Sequence, residues 1–137
     1  MSLYNLAASK IEAEEGRVHE MYDCPAGYKT MGIGFNLEAL KMPDEVIDLW
    51  LSILVEEIDE RLSKLWFYKP LDDKRKMVLI DMHYQFGYDG LMKFKRMWKA
   101  IERKDFSAAA DEMLDSLYAI QTPNRAARNA EIMRRGQ

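Results

Sequence analysis

The stretch from Glu15 to Gly34 constrains the fold of this 137-residue chain more than any other segment. Apolar residues at helical spacing precede it, and Gly16 is a natural end for a helix over about residues 3–14. Pro25-Ala26-Gly27 then divides two short runs rich in aromatic, β-branched and methionine residues, which is typical of a hairpin or small sheet. The chain is therefore expected to begin with a helix that leads into its one β region.

The remainder of the chain has a helical pattern. A long helix is expected to begin at Pro43 and to end before Pro70, with a continuous apolar stripe between them. Four further helices are expected from their caps, prolines and glycines: from Asp72 or Asp73 to Gly87, at 91–103, at 105–118, and from Thr122 as N-cap with Pro123 in first position toward Arg135.

The methionines and tryptophans are numerous enough to suggest a ligand-binding cluster. Ten methionines and the residues Trp50, Trp66 and Trp98 fall mostly at helical spacing, however. That spacing favours packing in a core, with methionine filling irregular gaps.

Composition narrows the possible chemistry. A single cysteine excludes an internal disulfide, and with only His19 and His83 no cluster has the spacing of metal ligands. No metal and no cofactor are therefore expected. The net charge of −3 is uneven, because residues 91–137 carry 10 basic and 6 acidic side chains. This basic third suits an anionic polymer such as peptidoglycan, and a mixed solvated surface explains the same count.

Glu15, Cys24 and Thr30 are spaced with eight residues between the first two and five between the last two. A carboxyl, a thiol and a hydroxyl around one hairpin suit a small active site. Glu15 ends a predicted helix, where the helix dipole disfavours negative charge and so favours the protonated acid. The alternative is a helix end followed by a hairpin whose polar residues face water.

Three segments carry a resemblance to a known family. The run from Glu15 to Gly34 resembles the signature of the phage-type lysozymes, the endolysins of glycoside hydrolase family 24. In that signature Glu, eight residues, Asp or Cys, five residues and Thr precede Gly-x-Gly. Tyr84-Gln85-Phe86-Gly87 and the run Gln121-Thr122-Pro123-Asn124-Arg125-Ala126-Ala127-Arg128 are similar to two segments of the family's helical lobe.

The resemblance implies a role for each catalytic candidate. Glu15 would donate a proton to the glycosidic oxygen, and Thr30 would hold the hydrolytic water. Residue 24 is more often Asp in the family, and a thiol is mostly neutral at pH 7 where aspartate is charged. Cys24 is therefore expected to act as a thiolate, as a nucleophile or only as a water-positioning group. The neighbouring Asp23 is expected to point to the opposite face of the strand.

The resemblance also implies contacts outside this trio. Tyr84 and Gln85 match positions that line the saccharide cleft, and Tyr118 stands near a place where the family often has tryptophan. Asn36 follows a position where histidine is frequent and is expected to make an outer contact of the cleft. Arg125 matches an arginine that approaches the catalytic glutamate and braces the two lobes.

The expected fold is therefore α+β, a mostly helical lysozyme-like domain with a small β-hairpin lobe and a larger helical lobe. The small lobe is expected over about 15–42, the linking helix over about 43–67, and the helical lobe over about 1–14 and 68–137. The expected activity is that of a muramidase, which hydrolyses the β-1,4 bond between N-acetylmuramic acid and N-acetylglucosamine in peptidoglycan. The alternative is a non-catalytic saccharide-binding or phage structural module with the same fold.

The expected partner is the peptidoglycan saccharide. Nucleic acid is not favoured, because the chain lacks a helix-turn-helix signature and a basic stripe with interleaved aromatics. No apolar run reaches the length of a bilayer, and the N-terminus lacks the order of a secretory signal. The expectation is a monomeric phage or prophage product, made in the host cytoplasm and acting on the wall after holin-dependent release.

Overall fold

A computed structural model describes residues 2–136, and in that range it contains seven helices and one three-stranded antiparallel sheet. The chain is 64% helical, which confirms the predicted α+β class. The elements in order are α1 (Leu3–Glu15), β1 (Val18–Asp23), β2 (Lys29–Gly32), β3 (Phe35–Asn36), α2 (Asp44–Leu62), α3 (Asp73–Met92), α4 (Lys95–Glu102), α5 (Phe106–Leu114), α6 (Leu117–Gln121) and α7 (Pro123–Arg135). None of these helices combines the length and the apolar composition that crossing a bilayer requires.

The chain forms two compact units, which divide between Asp48 and Leu49. The first unit contains α1, the sheet and the start of α2, and the second contains the rest of α2 and all later helices. The predicted extents of the two lobes stay a prediction.

Helix α2 ends earlier than the sequence pattern predicts. Its last residue is Leu62, and turns and bends follow as far as Leu71. Tyr68 lies fully buried in this segment, and its hydroxyl donates to Asp59 Oδ1 at 2.6 Å. This bond holds the segment against the last turns of α2, so the apolar residues after Leu62 continue the core without continuing the helix.

Helix α1 agrees with its prediction to within one residue. The Ser2 hydroxyl accepts from the Asn5 backbone N–H at 3.2 Å and so caps the helix start. At the other end the Gly16 backbone N–H donates to the Glu12 carbonyl at 2.8 Å, with φ at 77°. Glu15 is therefore the last helical residue, as the spacing predicts.

The predicted hairpin is confirmed and gains a short third strand. The strand order is β1-β2-β3, with Tyr22 opposite Thr30 and Thr30 opposite Asn36. Hydrogen bonds from Gly27 N–H to the Cys24 carbonyl and from Cys24 N–H to the Tyr28 carbonyl close the first turn, at 2.8 and 3.0 Å. Thr30 therefore lies in the central strand, where it is buried.

The hydrophobic core of the second unit is built by α2 to α7. Its largest fully buried side chains come from several helices and from the turns after α2: Leu62, Tyr68, Val78, Leu79, Met82, Leu91, Met97, Ile101, Met113, Tyr118 and Met133. Four methionines among them support the expectation that methionine fills gaps in the core.

The expected burial of the tryptophans is correct for Trp98 and wrong for Trp66 and for Trp50, which is 41% exposed in α2. Trp98 is buried, and its Nε1–H donates to the Leu91 carbonyl at 3.0 Å. Trp66 is 70% exposed because it lies in the turns after α2, where helical spacing no longer decides which side chains face inward.

Two further helices differ from the expected ones. In α3 the backbone leaves the helical region at Gly87, with φ 74° and ψ 172°, and helical turns then resume as far as Met92. The predicted helix 105–118 is divided into α5 and α6, because the Ser116 hydroxyl donates to the Met113 carbonyl at 2.5 Å and the chain turns there.

Helix α4 ends in a tight turn that holds Lys104 in an unusual conformation. The N–H groups of Lys104 and Asp105 donate to the carbonyls of Ile101 and Ala100, both at 2.9 Å. Lys104 adopts φ of 61°, and it is the one non-glycine residue with positive φ among the described residues. Glycine is the usual residue in such a turn, and the left-handed conformation costs another residue about 1 kcal/mol or more.

Arg75 ties the start of α3 to the end of α7. Its Nε and Nη2 groups donate to the carbonyls of Met133 and Arg134 at 2.7 and 3.0 Å, and Nη1 donates to Asp72 Oδ1 at 3.1 Å. The guanidinium also lies 3.7 Å from the centre of the Phe106 ring. A cation therefore satisfies the last carbonyls of α7, where the helix dipole is negative.

We expect Arg75→Ala to lower the free energy of unfolding by about 2 kcal/mol, because it leaves the last carbonyls of α7 without a charged donor. Arg103→Ala is the matched control, since Arg103 reaches Asp105 only at 3.9 Å and both side chains are exposed. That control should lose less than about 0.5 kcal/mol. Urea unfolding measures both, and equal losses would contradict the role given to Arg75.

Candidate active site

Glu15 lies at the end of α1 with its carboxyl group against the turn between β2 and β3. A β-carbon built on Gly34 would stand 2.6 Å from Glu15 Oε2 and 2.9 Å from its Cδ. Gly34 also has φ of 63°, which a side chain would disfavour. Glycine at position 34 thus leaves room for the Glu15 carboxyl and adopts the positive φ without strain.

Gly32, the other glycine of the Gly-x-Gly pair, also leaves room for a neighbouring side chain. A β-carbon on Gly32 would stand 2.6 Å from Cδ2 of the Phe35 ring, and φ at Gly32 is 73°. Both glycines therefore make room for side chains of the chain itself. Close approach of a saccharide to this turn stays a prediction.

Cys24 follows β1 and is half-buried at the turn that leads to β2. The Tyr28 backbone N–H donates to its Sγ at 3.4 Å. This N–H holds the pKa of the Cys24 thiol below its ordinary value, helped by Ala26, the Thr30 hydroxyl and Gly27 and opposed by partial burial. A larger fraction of the thiol is consequently ionised near neutral pH than in a free cysteine.

Asp23 does not substitute for the missing aspartate at position 24. Its carboxylate pairs with Lys29 Nζ at 2.6 Å on the exposed side of the β1–β2 pair. Because Cys24 lies just beyond the end of β1, the expectation that Asp23 and Cys24 point to opposite faces stays a prediction.

Thr30 is 4% exposed and shares a backbone partner with Cys24. Its hydroxyl donates to the Tyr28 carbonyl at 2.9 Å, while the Tyr28 N–H donates to the Cys24 sulfur. A hydroxyl oxygen that donates in this way still has lone pairs with which it can accept from a further partner. The sheet therefore brings Cys24 and Thr30 together around the backbone of Tyr28.

Asn36 lies opposite Thr30, in β3. Its side-chain oxygen accepts from the Glu38 backbone N–H at 3.0 Å, and Glu38 in turn accepts from the Lys29 N–H at 2.7 Å. Asn36 thus stabilises the chain as it leaves the sheet. Its expected contact with a saccharide stays a prediction.

In the second unit, Tyr84 and Gln85 face different environments. Tyr84 is exposed and lines a pocket of about 870 Å³ together with Asp81 and Arg125. Gln85 instead donates through Nε2 to the Thr122 hydroxyl at 3.1 Å, and its Oε1 is buried. The Thr122 side chain makes this bond rather than capping α7, whose first residue is Pro123, as predicted.

The burial of Tyr118 contradicts its expected contact with a saccharide. Its side chain is 1% exposed and packs edge-on against Phe86 and Phe94, with ring centres 5.2 and 6.2 Å away. Its hydroxyl accepts from Asn129 Nδ2 at 2.6 Å. Tyr118 is a core residue because α6 turns it inward.

Arg125 is held by an aspartate that the sequence did not single out. Its Nε and Nη2 donate to the two carboxylate oxygens of Asp81 at 3.0 and 2.5 Å, and Asn129 Nδ2 donates to the same group at 2.8 Å. The Arg125 hydrogen bonds hold the pKa of Asp81 below its ordinary value. The spacing of Arg125 and Asn129 on one face of α7 could have indicated a shared acceptor.

The sequence of the chain is similar to one known family and to two named proteins. The sequence profile of the family described as phage lysozyme matches residues 12–131. The chain belongs to the phage lysozyme family. It is 29% identical to a protein named probable T4-type lysozyme 1 from Dictyostelium discoideum, and the match covers 92% of each chain. Probable T4-type lysozyme 2 from the same organism is 27% identical, again over 92% of each chain.

Membership in the phage lysozyme family confirms the resemblance carried by the three sequence segments and the lysozyme-like character of the fold. The matched residues include Glu15, Cys24, Thr30 and Arg125. The two named relatives come from Dictyostelium discoideum. A phage or prophage origin for this chain stays a prediction.

We expect Arg125→Ala to lower the free energy of unfolding at pH 7 by about 1 kcal/mol, because the partly exposed Asp81 carboxylate loses its charged partner. Arg134→Ala is the matched control, since Arg134 pairs with the exposed Asp111 at 2.8 Å. It should cost less than about 0.5 kcal/mol. Equal losses would indicate that both arginines are solvated surface residues.

The Arg125 effect should also depend on pH. Because the pKa of Asp81 is lowered in the folded state, its stabilising pair is complete above the unfolded-state pKa of about 3.9 and is lost as pH falls through the folded-state pKa. Urea unfolding at pH 7 and at about pH 2.5 should therefore show the difference between wild type and variant shrinking in acid. A difference that is the same at both pH values would contradict this.

Proposed function

We propose that this protein is a muramidase that hydrolyses the β-1,4 bond between N-acetylmuramic acid and N-acetylglucosamine in bacterial peptidoglycan. The observation that carries the proposal is the position of the Glu15 carboxyl against Gly34, in the unit that also contains Cys24 at the β1–β2 turn and Thr30 in β2. Membership in the phage lysozyme family supports the same reaction class.

Glu15 is proposed as the general acid. Hydrolysis of a glycosidic bond needs a proton at the leaving oxygen, and a carboxylic acid near the bond supplies it. The side chain of Glu15 is exposed, which suits transfer of a proton to a bound polymer.

Cys24 and Thr30 are proposed to hold the attacking water. The Thr30 oxygen can accept a hydrogen bond from that water, because its own proton goes to the Tyr28 carbonyl. The Cys24 thiolate offers a second acceptor with negative charge, which also stabilises the positive charge that develops on the sugar. Water attacks the face opposite the leaving group, so the proposed outcome is inversion at the anomeric carbon.

Tyr84 and Arg125 are proposed to serve the substrate from the second unit. The exposed ring of Tyr84 suits the apolar face of a sugar, and Asn36 offers an amide to hydroxyl groups. Arg125 is proposed as a supporting residue whose orientation is fixed by Asp81. Gln85 supports this region through Thr122 rather than through the substrate.

The wider biological setting is part of the same proposal. We propose a monomeric endolysin that reaches the cell wall after holin-dependent release. The second candidate function is a saccharide-binding module without catalysis, which the thiol in place of an acidic residue at position 24 favours. Hydrolysis of purified peptidoglycan separates the two.

We expect Glu15→Gln to reduce peptidoglycan clearing by about 10²–10⁴-fold, because an amide cannot donate the required proton. Glu14→Gln is the matched control: it removes the adjacent carboxylate, which pairs with the exposed Lys10 at 2.6 Å. The control should clear at the wild-type rate. If Glu15→Gln keeps more than about a tenth of the wild-type rate, Glu15 is not the general acid, because loss of an acid catalyst ordinarily costs more than that.

Variants of Cys24 test whether its side chain holds the attacking water. Cys24→Asp should keep or raise activity at pH 7, since its carboxylate is ionised, and Cys24→Ala should lose most of it. If the thiolate is the working form, clearing and alkylation by iodoacetamide should rise with the same midpoint, below that of free cysteine, because the pKa of Cys24 is lowered. A Cys24→Ala protein that clears peptidoglycan normally would leave Cys24 as a packing residue.

A further inference from the structure

Trp66 presents its side chain to solvent in the second unit, on the turns that follow α2. It is 70% exposed, although its neighbours Phe67 and Tyr68 are partly and fully buried. Large aromatic side chains on a surface dominate recognition when they are held rigidly, because little conformational entropy is lost on binding.

An aromatic stack holds Trp66 in place. Its ring meets that of Phe67 edge to face, with centres 5.4 Å apart and planes at 85°. Phe67 in turn lies 5.4 Å from Trp98, whose indole N–H is bonded to the Leu91 carbonyl in the core. The exposed ring is therefore the outer member of a row of aromatics that begins in the core.

A pocket of about 280 Å³ lies beside this ring. Its lining combines apolar surface from Pro70 and Phe106 with the charged side chains of Glu102 and Lys104. Among residues 2–136, neither Glu102 nor Lys104 has an ion-pair partner or a side-chain hydrogen bond. The pocket thus offers an aromatic face with an acceptor and a donor at its border.

Lys104, at the edge of the pocket, has an unfavourable backbone conformation. Its φ of 61° belongs to a turn in which glycine would be more stable. Residues kept in such conformations are concentrated at functional sites. A lysine here is explained if its ammonium group serves a ligand, since it stabilises nothing else in the described part of the chain.

We propose that this pocket is a second saccharide site, which binds an N-acetylated β-1,4-linked glycan with one sugar stacked on Trp66. Glu102 accepts from sugar hydroxyl groups, and Lys104 donates to hydroxyl or acetamido oxygens. The site contains none of the residues assigned to bond cleavage. It deepens the proposed function, because it would retain the chain on a polymeric substrate between cleavage events.

The charge of the pocket favours an uncharged ligand. Its two acidic residues, Asp72 and Glu102, are balanced by Arg75 and Lys104. A nucleic acid or an anionic lipid surface would require an excess of positive charge. A glycan needs hydrogen-bonding groups of both kinds beside an apolar platform, and the pocket has this combination.

The test uses Glu15→Gln protein so that the glycan stays intact, with two probes: purified peptidoglycan sacculi in co-sedimentation, and the tetramer of β-1,4-linked N-acetylglucosamine in a fluorescence titration. Trp66→Ala should weaken binding to sacculi about tenfold, and Trp66→Tyr should restore much of it. Ile120→Ala is the matched control, because Ile120 is also an exposed apolar residue and does not line the pocket. It should bind normally.

A substitution of Lys104 tests the same site without impairing folding. Lys104→Gly should weaken binding about threefold to fivefold while the melting temperature stays equal or rises, because glycine relieves the positive φ. Lys99→Ala removes one charge from α4, outside the pocket, and should leave binding unchanged.

Two results would overturn the second site. One is normal binding of both probes by Trp66→Ala and Lys104→Gly, and the other is a self-associating protein whose dimer is lost in Trp66→Ala, which would make the ring a contact between copies. The same experiments distinguish failure of the proposed hydrolysis from failure of the second site. A wild type that binds through Trp66 yet releases no fragments would refute hydrolysis alone, and a wild type that hydrolyses while binding independently of Trp66 would refute this site alone.

Discussion

The carboxyl group of Glu15 occupies the space that a side chain at position 34 would fill. The carboxyl group approaches the β2–β3 turn closely, while the Glu15 side chain itself stays exposed. A methyl group at position 34 would displace the carboxyl and would also oppose the positive φ of the turn. The local arrangement of the proposed acid thus depends on one missing β-carbon.

The second constraint is the backbone of Tyr28. One peptide group supplies a donor to the Cys24 sulfur, and the carbonyl of the same residue takes the Thr30 proton. Lowering the pKa of the thiol through backbone N–H groups makes a cysteine more similar to the aspartate that is common at this position. The turn geometry therefore offsets part of the difference between thiol and carboxylate.

Local signals predicted much of the architecture, because caps, prolines and glycines act directly on the backbone. The end of α1 and the start of α7 are examples. That Glu15, Cys24 and Thr30 form one small site stays a prediction. Roles that depend on packing could not be predicted in this way. Tyr118 was predicted to line the cleft, but α6 places it in the core. Trp66 was predicted to lie in the core, but it is exposed because α2 ends at Leu62.

The partner of Arg125 illustrates the same limit at longer range. Asp81 lies 44 residues earlier in the chain, in α3, so no local pattern connects the two. The contribution of Tyr28 was hidden for a different reason, since any residue carries the same backbone N–H and carbonyl. The exposed residues Trp66 and Lys104 stand out once their surroundings and φ angles are known.

Identification of the new chain ends in digested peptidoglycan tests the central claim most directly. Purified sacculi treated with the wild-type protein would be analysed by mass spectrometry before and after borohydride reduction. A muramidase predicts fragments whose reducing terminus is N-acetylmuramic acid. Fragments that end in reducing N-acetylglucosamine, new peptide amines, or the absence of any released fragment would contradict the account.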